Sequence, residues 1–229
     1  MNQKKTLAIV LSRVDYGEAD RILTVLTPYE GKLSLMAKGA RKVRSKLAGA
    51  IELFSENELT YIPGRGEVGT LVSSRLLAHY PKVLANIERT MLGYELIKML
   101  HKATEQQAEE AYYGVLKHAF EALNDEEVPP KVLQLWFVAR MLALGGHSPN
   151  LVSQKDGAKL QAGTQYGFDF DAMCMVAQTD GAFGEREIKF LRLLFTRTHP
   201  GPLKGIDGHE ALVATCQPLV TSLKTLYMQ

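Results

Sequence analysis

The apolar residues of this chain change their period once, and the change falls at Tyr80-Pro81. Before it they come in short runs with a period near two, as in half-buried strands, where successive side chains point to opposite faces. After it they recur every three or four residues, as on amphipathic helices. A proline at the junction disfavours continuing either element through it. The chain therefore divides into a β domain, residues 1–80, and a helical domain, residues 81–229.

Five runs make up the first part. Residues 6–14 (TLAIVLSRV) stop at Asp15-Tyr16-Gly17, and residues 21–27 (RILTVLT) stop at Pro28-Tyr29-Glu30-Gly31. Residues 32–38 form the third run; residues 53–62 and 69–77 form the fourth and fifth, joined through Pro63-Gly64-Arg65-Gly66. Short strands separated by such turn residues fit a small closed barrel. A five-stranded OB-fold is the expected form, and an SH3-like barrel satisfies the same pattern.

In residues 83–103 the positions Leu84, Ile87, Met91, Tyr94, Ile97 and Leu100 form one apolar stripe. Residues 105–123 repeat the period, and Pro129-Pro130 opens a third helix at 131–144, ended by Gly145-Gly146. These three helices are expected to bundle. Residues 150–183 hold no sustained period and read as loop with short strands, while 185–196 and 208–227 read as the last helices. The class is α+β with two domains: an N-terminal OB-fold barrel, then a helical bundle with an irregular C-terminal module.

Charge is distributed unevenly. The 229 residues carry a net charge of only +2, but residues 1–80 hold 12 Lys and Arg against 8 Asp and Glu, and the remainder 15 against 17. A basic N-terminal part favours an anionic partner there. Two cysteines, Cys174 and Cys216, make no disulfide framework and fit a reducing compartment. The apolar run at residues 7–11 is too short for a signal peptide, and no stretch is long enough to span a bilayer. A cytoplasmic location is expected.

Most of the basic excess lies in residues 31–50, GKLSLMAKGARKVRSKLAGA, with Lys32, Lys38, Arg41, Lys42, Arg44 and Lys46 and no acidic residue. The first half alternates as a strand; from Gly39 onward it becomes a glycine-flanked cationic loop. A strand feeding such a loop is the pattern of a phosphate-contacting surface. Arg65, at a hairpin tip, is a further phosphate candidate. Tyr16, Tyr29 and Tyr61 stand at turns or strand ends, where an aromatic ring packs at the rim or stacks on a base.

Other motifs carry less. Gly64, Gly66 and Gly69 spell G-x-G-x-x-G, but the residues that follow are strand-like, whereas the dinucleotide fingerprint requires a helix there. Asp15, Glu18 and Asp20 are flanked by Arg13 and Arg21 and read as a charge-balanced loop rather than a metal site. His147, His199 and His209 lie in loops near Cys174 or Cys216 in sequence, but no C-x-x-C pair accompanies them, so no structural zinc is expected. No nucleophile elbow or phosphate-binding loop occurs, and an enzyme is not expected. No cofactor is expected either.

Three blocks, DYGEAD (residues 15–20), GKLSLMAKGARK (31–42) and KLAGAIELF (46–54), resemble the N-terminal signature of the bacterial RecO recombination-mediator and DNA-repair family. RMLALGGHSPNL (140–151) resembles the family's helix end before its variable module. The resemblance implies an OB-fold, a central helical bundle and a non-enzymatic role: binding single- and double-stranded DNA, annealing complementary strands, and loading recombinase together with RecR and the single-stranded-DNA-binding protein. It places DNA contacts at Lys32, Lys38, Arg41, Lys42, Arg44 and Lys46. It also implies a four-cysteine zinc module after the helix end. Here the corresponding LVSQKDGAKL has no cysteine and only Cys174 lies near the second pair, so residues 150–183 are expected to stand in its place without metal. On the helical domain, Lys131 and Arg140 are candidates for receiving the acidic tail of the single-stranded-DNA-binding protein.

Two other readings fit the same residues. An RNA-binding OB protein of translation or RNA processing uses the same phosphate and stacking contacts. A structural adaptor with a solvated basic loop binds no nucleic acid at all.

Overall fold

The structure is a computed structural model that describes residues 2–47, 51–104 and 110–228. By its internal contacts it forms two compact units, Met1–Asp125 and Glu126–Gln229.

The first unit is built on five strands: β1 (Lys4–Tyr16), β2 (Asp20–Thr27), β3 (Gly31–Ala37), β4 (Ser55–Ile62) and β5 (Val68–His79). They close in the order β1-β2-β3-β5-β4, the five-stranded OB-like barrel that the pattern predicts. Closure removes every exposed strand edge. Two strands, β1 and β5, are long because each meets its two neighbours along different stretches. β1 pairs with β4 over its first half and with β2 over its second, and a register shift between Val10 and Ser12 marks the bend. Such a bulge increases twist and lets one strand turn the corner of a barrel. All pairings are antiparallel except β3 with β5, where Ser34, Leu35 and Met36 run parallel to Val68, Gly69 and Thr70.

The period of two is realised in the barrel interior. Ala8 and Val10 of β1, Leu23 and Val25 of β2, Leu35 and Ala37 of β3, Leu59 and Tyr61 of β4 and Leu71 of β5 form one buried cluster. Ile9, Leu11 and Leu26, on the alternate positions, are buried as well. Here α2 and α3 pack against β1 and β2.

Residues 83–103 do not form one helix. α1 (Pro81–Ala85) ends at Asn86, whose side-chain oxygen accepts the Arg89 N–H at 3.1 Å and so caps α2 (Ile87–Ala103). An asparagine cap satisfies an otherwise unpaired amide and restarts the helix in a new direction. The predicted stripe is therefore buried only in its second half, at Ile97 and Leu100. Arg89, Leu92, Gly93, Leu96, Ile97 and Leu100 face inward, whereas Leu84, Ile87, Met91 and Tyr94 are exposed. α3 (Glu110–Leu123) pairs with α2. The buried Arg89 guanidinium donates to the Leu123 and Asp125 carbonyls at 2.9 and 3.0 Å, a cation set on the C-terminal end of α3 as its dipole favours.

Gly93 explains how α2 approaches the barrel. A Cβ at that position would lie 2.5 Å from the Phe54 ring. Phe54, fully buried, enters the space with its backbone in the left-handed region (φ 56°) and meets Tyr94 and Phe120 edge-on, each with ring centroids 5.3 Å away. A non-glycine residue held there costs roughly 1–3 kcal/mol, which the surrounding packing must offset.

The second unit centres on α4 (Pro130–Leu144), apolar on every side and almost wholly buried, as a central helix must be. α5 (Glu185–Thr196) and α6 (His209–Tyr227) pack against it. The predicted three-helix bundle is thus divided: α2 and α3 pair in the first unit and α4 packs with α5 and α6 in the second. Trp136 Nε1 donates to the Arg197 carbonyl at 2.8 Å, and Arg140 donates to the Phe195 carbonyl. Both bonds satisfy carbonyls at the end of α5 that have no partner within the helix. The irregular stretch contains a short hairpin, β6 (Tyr166–Asp169) with β7 (Cys174–Ala177). No helix among the described residues is long and apolar enough to cross a membrane.

Candidate nucleic-acid interface

The basic segment is pinned at both ends. Past β3, Gly39 takes a left-handed φ of 65°, open to glycine at no steric cost, and its N–H donates to Asp20 Oδ1 at 2.7 Å. Ala40 turns back into the barrel core, and Ile51 returns to the same cluster on the far side. Between them, the Arg41 N–H donates to the Ala19 carbonyl at 2.9 Å. The Arg41 guanidinium reaches the Gly17 carbonyl at 3.4 Å and Asp15 Oδ2 at 3.4 Å. This loop is therefore laid against the β1–β2 turn. The Ser45 N–H closes a turn on the Lys42 carbonyl at 2.9 Å, with Val43 and Arg44 at its tip. Residues 48–50 lie outside the described residues.

The cations of this segment divide by partner. Lys38, Lys42, Arg44 and Lys46 are exposed and make no ion pair among the described residues. Arg41 shares Asp15 with Arg21, whose Nε lies 3.0 Å from Oδ1. The hydrogen bond from Arg21, with the charges of Arg41, Arg21 and Arg13, holds the Asp15 carboxyl below its ordinary range. Lys32, at the opposite end of β3, donates to the His101 carbonyl at 2.9 Å and lies 3.2 Å from that ring's Nδ1, so its charge meets the last turn of α2.

Arg65 is exposed in the β4–β5 turn. There a Cβ on Gly64 would lie 2.1 Å from the Val68 carbonyl oxygen, and β5 follows as a strand, so the glycine motif serves a hairpin. The parallel register sets this turn near the Gly31 end of β3, whereas Lys38–Lys46 extends from the Ala37 end. Six residue steps along β3 separate the two ends, roughly 20 Å at about 3.3 Å per residue. The outward positions of the sheet between them are Ser34 and Met36 of β3, paired with Thr24 and Ile22 of β2. That is the face on which OB-folds carry oligonucleotides. The alternation of residues 31–38 puts Lys32, Ser34, Met36 and Lys38 on one side; Ile22 and Thr24 join them only through the cross-strand register.

Of the three tyrosines, Tyr16 and Tyr29 are exposed, and the Tyr29 hydroxyl donates to Glu110 Oε1 at 3.3 Å. Tyr61 belongs to the barrel interior. Its hydroxyl donates to Glu30 Oε2 at 2.8 Å, and burial with that carboxylate pushes its pKa up to about 12. It offers no stacking surface. In the second unit Lys131 is exposed in the first turn of α4, while the Arg140 guanidinium is partly buried against α5 and desolvation lowers its pKa.

A four-thiolate metal module does not fit this chain. Its two cysteines are both buried, Cys174 on β7 and Cys216 on α6, and the Cys216 thiol donates to the Glu187 carbonyl at 3.9 Å. Hydrogen bonds hold the irregular stretch instead. Asn150 Oδ1 accepts the Val152 and Ser153 N–H groups at 2.9 and 3.0 Å, Gln154 Oε1 accepts that of Ala177 at 2.9 Å, and Arg192 donates twice to the Leu151 carbonyl.

Comparison with known proteins agrees with the barrel. Residues 1–80 match the family model described as Recombination protein O N terminal. A DNA repair protein RecO of Desulfatibacillum aliphaticivorans is 34% identical over 149 residues, 64% of this chain and 58% of the relative. The protein of the same name from a Roseiflexus strain is 33% identical over 142 residues, 62% of this chain and 50% of its own, and one from Dehalococcoides mccartyi is 29% identical over 148 residues, 64% and 58%. The chain thus spans between half and three-fifths of the length of these relatives. Residues 1–80, which close the OB-like barrel, match the RecO N-terminal domain, and 64% of the chain is similar to a RecO protein.

Proposed function

We infer that this protein acts in DNA repair and recombination as a non-enzymatic mediator. It binds single- and double-stranded DNA on the barrel, anneals complementary strands, and cooperates with RecR in loading recombinase. The observation that carries the reading is the pinned, acid-free loop, which holds Lys38, Lys42, Arg44 and Lys46 exposed beside an OB face. The match of residues 1–80 to the family model and the names of the relatives support the repair context. Cations held in this way neutralise phosphates and release counterions, so affinity is salt-dependent and nearly indifferent to sequence. Annealing then requires no catalytic group, because two strands on one cationic surface repel each other less. Arg41 and Arg65 add contacts at the two ends of the face, and Lys32 contributes field rather than a direct bond. Lys131 is the cation offered to the acidic tail of the single-stranded-DNA-binding protein, with Arg140 positioning α5 behind it.

The test is fluorescence anisotropy of a labelled single-stranded oligonucleotide across a salt series. Changing Lys38, Lys42, Arg44 and Lys46 together to alanine is expected to weaken binding and to flatten the slope of log K against log salt by about 2 to 3. An unchanged slope would move the interface off this loop. Absence of salt-sensitive binding by the unaltered protein would refute the reading.

A further inference from the structure

Val43 is the most exposed large apolar side chain among the described residues, and it stands between Lys42 and Arg44 at the tip of the cationic turn. That placement runs against two preferences. A β-branched residue is a poor choice for a turn tip, where Gly, Asn, Asp and Ser are favoured. A fully exposed aliphatic group among cations also gains nothing from the fold. The turn that presents it is nonetheless built: the Lys42 and Ser45 N–H groups bond to the Gly39 and Lys42 carbonyls at 3.1 and 2.9 Å. Its base is fixed by Ala40 in the core and by Arg41 on the β1–β2 turn. Just before that turn, Tyr16 is also exposed. One end of the barrel thus presents two exposed apolar groups, Tyr16 just before the β1–β2 turn and Val43 two residues beyond the Arg41 that binds that turn.

We propose that Val43 is a wedge that enters the base stack when Lys42 and Arg44 sit on the flanking phosphates, with Tyr16 offering a ring face to the displaced base. This rests on the nucleic-acid reading of the loop and extends it from backbone contact to base contact. Apolar side chains carried by cationic elements unstack base steps in this way elsewhere. Cations alone would leave the bases stacked. A wedge loosens local structure in the strand, which is what annealing requires.

The chain's single tryptophan, Trp136, is fully buried, so a Val43→Trp variant adds a reporter on a quiet background. Its emission is read against single-stranded DNA, against polyphosphate of equal charge and against anionic lipid vesicles. Quenching by DNA but not by polyphosphate is expected. In parallel, Val43→Ser should weaken binding by about two- to fivefold with an unchanged salt slope, because no charge is removed. It should also abolish the fluorescence rise of a 2-aminopurine in the bound strand. DNA binding by anisotropy with equal quenching by DNA and polyphosphate, or with no quenching, would overturn the wedge and leave the phosphate reading standing. A blue shift with vesicles and none with DNA would assign Val43 to a lipid surface. If the unaltered protein binds no DNA, both readings fall together.

Discussion

Asp15 holds Arg41 and Arg21 at once, with Oδ2 3.4 Å from one guanidinium and Oδ1 3.0 Å from the other. A carboxylate thus sits at the root of the loop whose remaining cations are exposed. It orders Arg41 and at the same time subtracts a charge from the surface. Asp15→Asn is expected to raise single-stranded DNA affinity by about two- to fivefold at low salt, a gain that disappears at high salt where exposed charges are screened. Anisotropy titrations at two salt concentrations check this.

The same carboxylate makes the loop sensitive to acid. Its folded pKa lies below the ordinary value, so the attachment is complete above the unfolded pKa and is lost as pH falls through the lowered folded one. Arg41 should therefore leave Asp15 only below the normal carboxylate range. The Arg41 side-chain NMR signals, followed against pH, should move there and remain fixed near neutrality. In Asp15→Asn this titration should be absent.

Gly93 is the position where a single methyl group does the most harm. Gly93→Ala would ordinarily favour a helix, but here the new Cβ meets the Phe54 ring at 2.5 Å. Overpacking of this kind costs about 1–3 kcal/mol, which outweighs the propensity gain. A lowered thermal midpoint is expected, and Phe54→Leu in the same chain should recover part of it.

Glu56 is nearly buried, at 5% exposure, and receives the Tyr113 hydroxyl at 2.7 Å and the Lys117 ammonium at 3.1 Å. Desolvation, and then the hydrogen bond to Glu56, push the Tyr113 phenol far above its usual pKa. Tyr113→Phe removes one bond to a buried charge and should cost roughly 1.5–3 kcal/mol in chemical denaturation. Glu56→Gln should be better tolerated than Lys117→Met, which leaves the carboxylate without its cation.

The two thiols should behave as core residues. Burial, and then Glu187, push the Cys216 pKa up to about 12, so little thiolate exists near neutrality. Ellman's reagent should react slowly with the native protein, at the same rate with or without a zinc chelator, and promptly after denaturation.

The barrel was legible because each of its five strands carries its own alternation and its own turn, and the predicted bounds fall within a few residues of the observed ones. The helical part was less so. Asn86 reads as one polar residue inside a periodic run, and only its bond to the Arg89 amide reveals a cap that resets the phase. Ile87 then stands 82% exposed, where the stripe put it inside. Gly93 was likewise silent, because its meaning depends on a phenylalanine 39 positions earlier in the chain. In the candidate site the basic residues were visible as composition. That Lys32 is directed to His101, Arg41 to Asp15 and Arg140 to Phe195 follows from tertiary contacts that no local pattern encodes.

The parallel seam between β3 and β5 also bears on how the chain folds. Three residue pairs across it join positions 34–36 to 68–70, and β1 meets β4 across a longer gap in the sequence. Neither contact forms by local zippering, so each requires closure of a long loop before any reward. The hairpins β1–β2 and β2–β3 can form early, but Ala40 and Ile51 have no core to enter until β4 and β5 arrive. The cationic loop therefore takes shape only in the final, cooperative step, and a chain arrested before that step presents the same charges without the same surface.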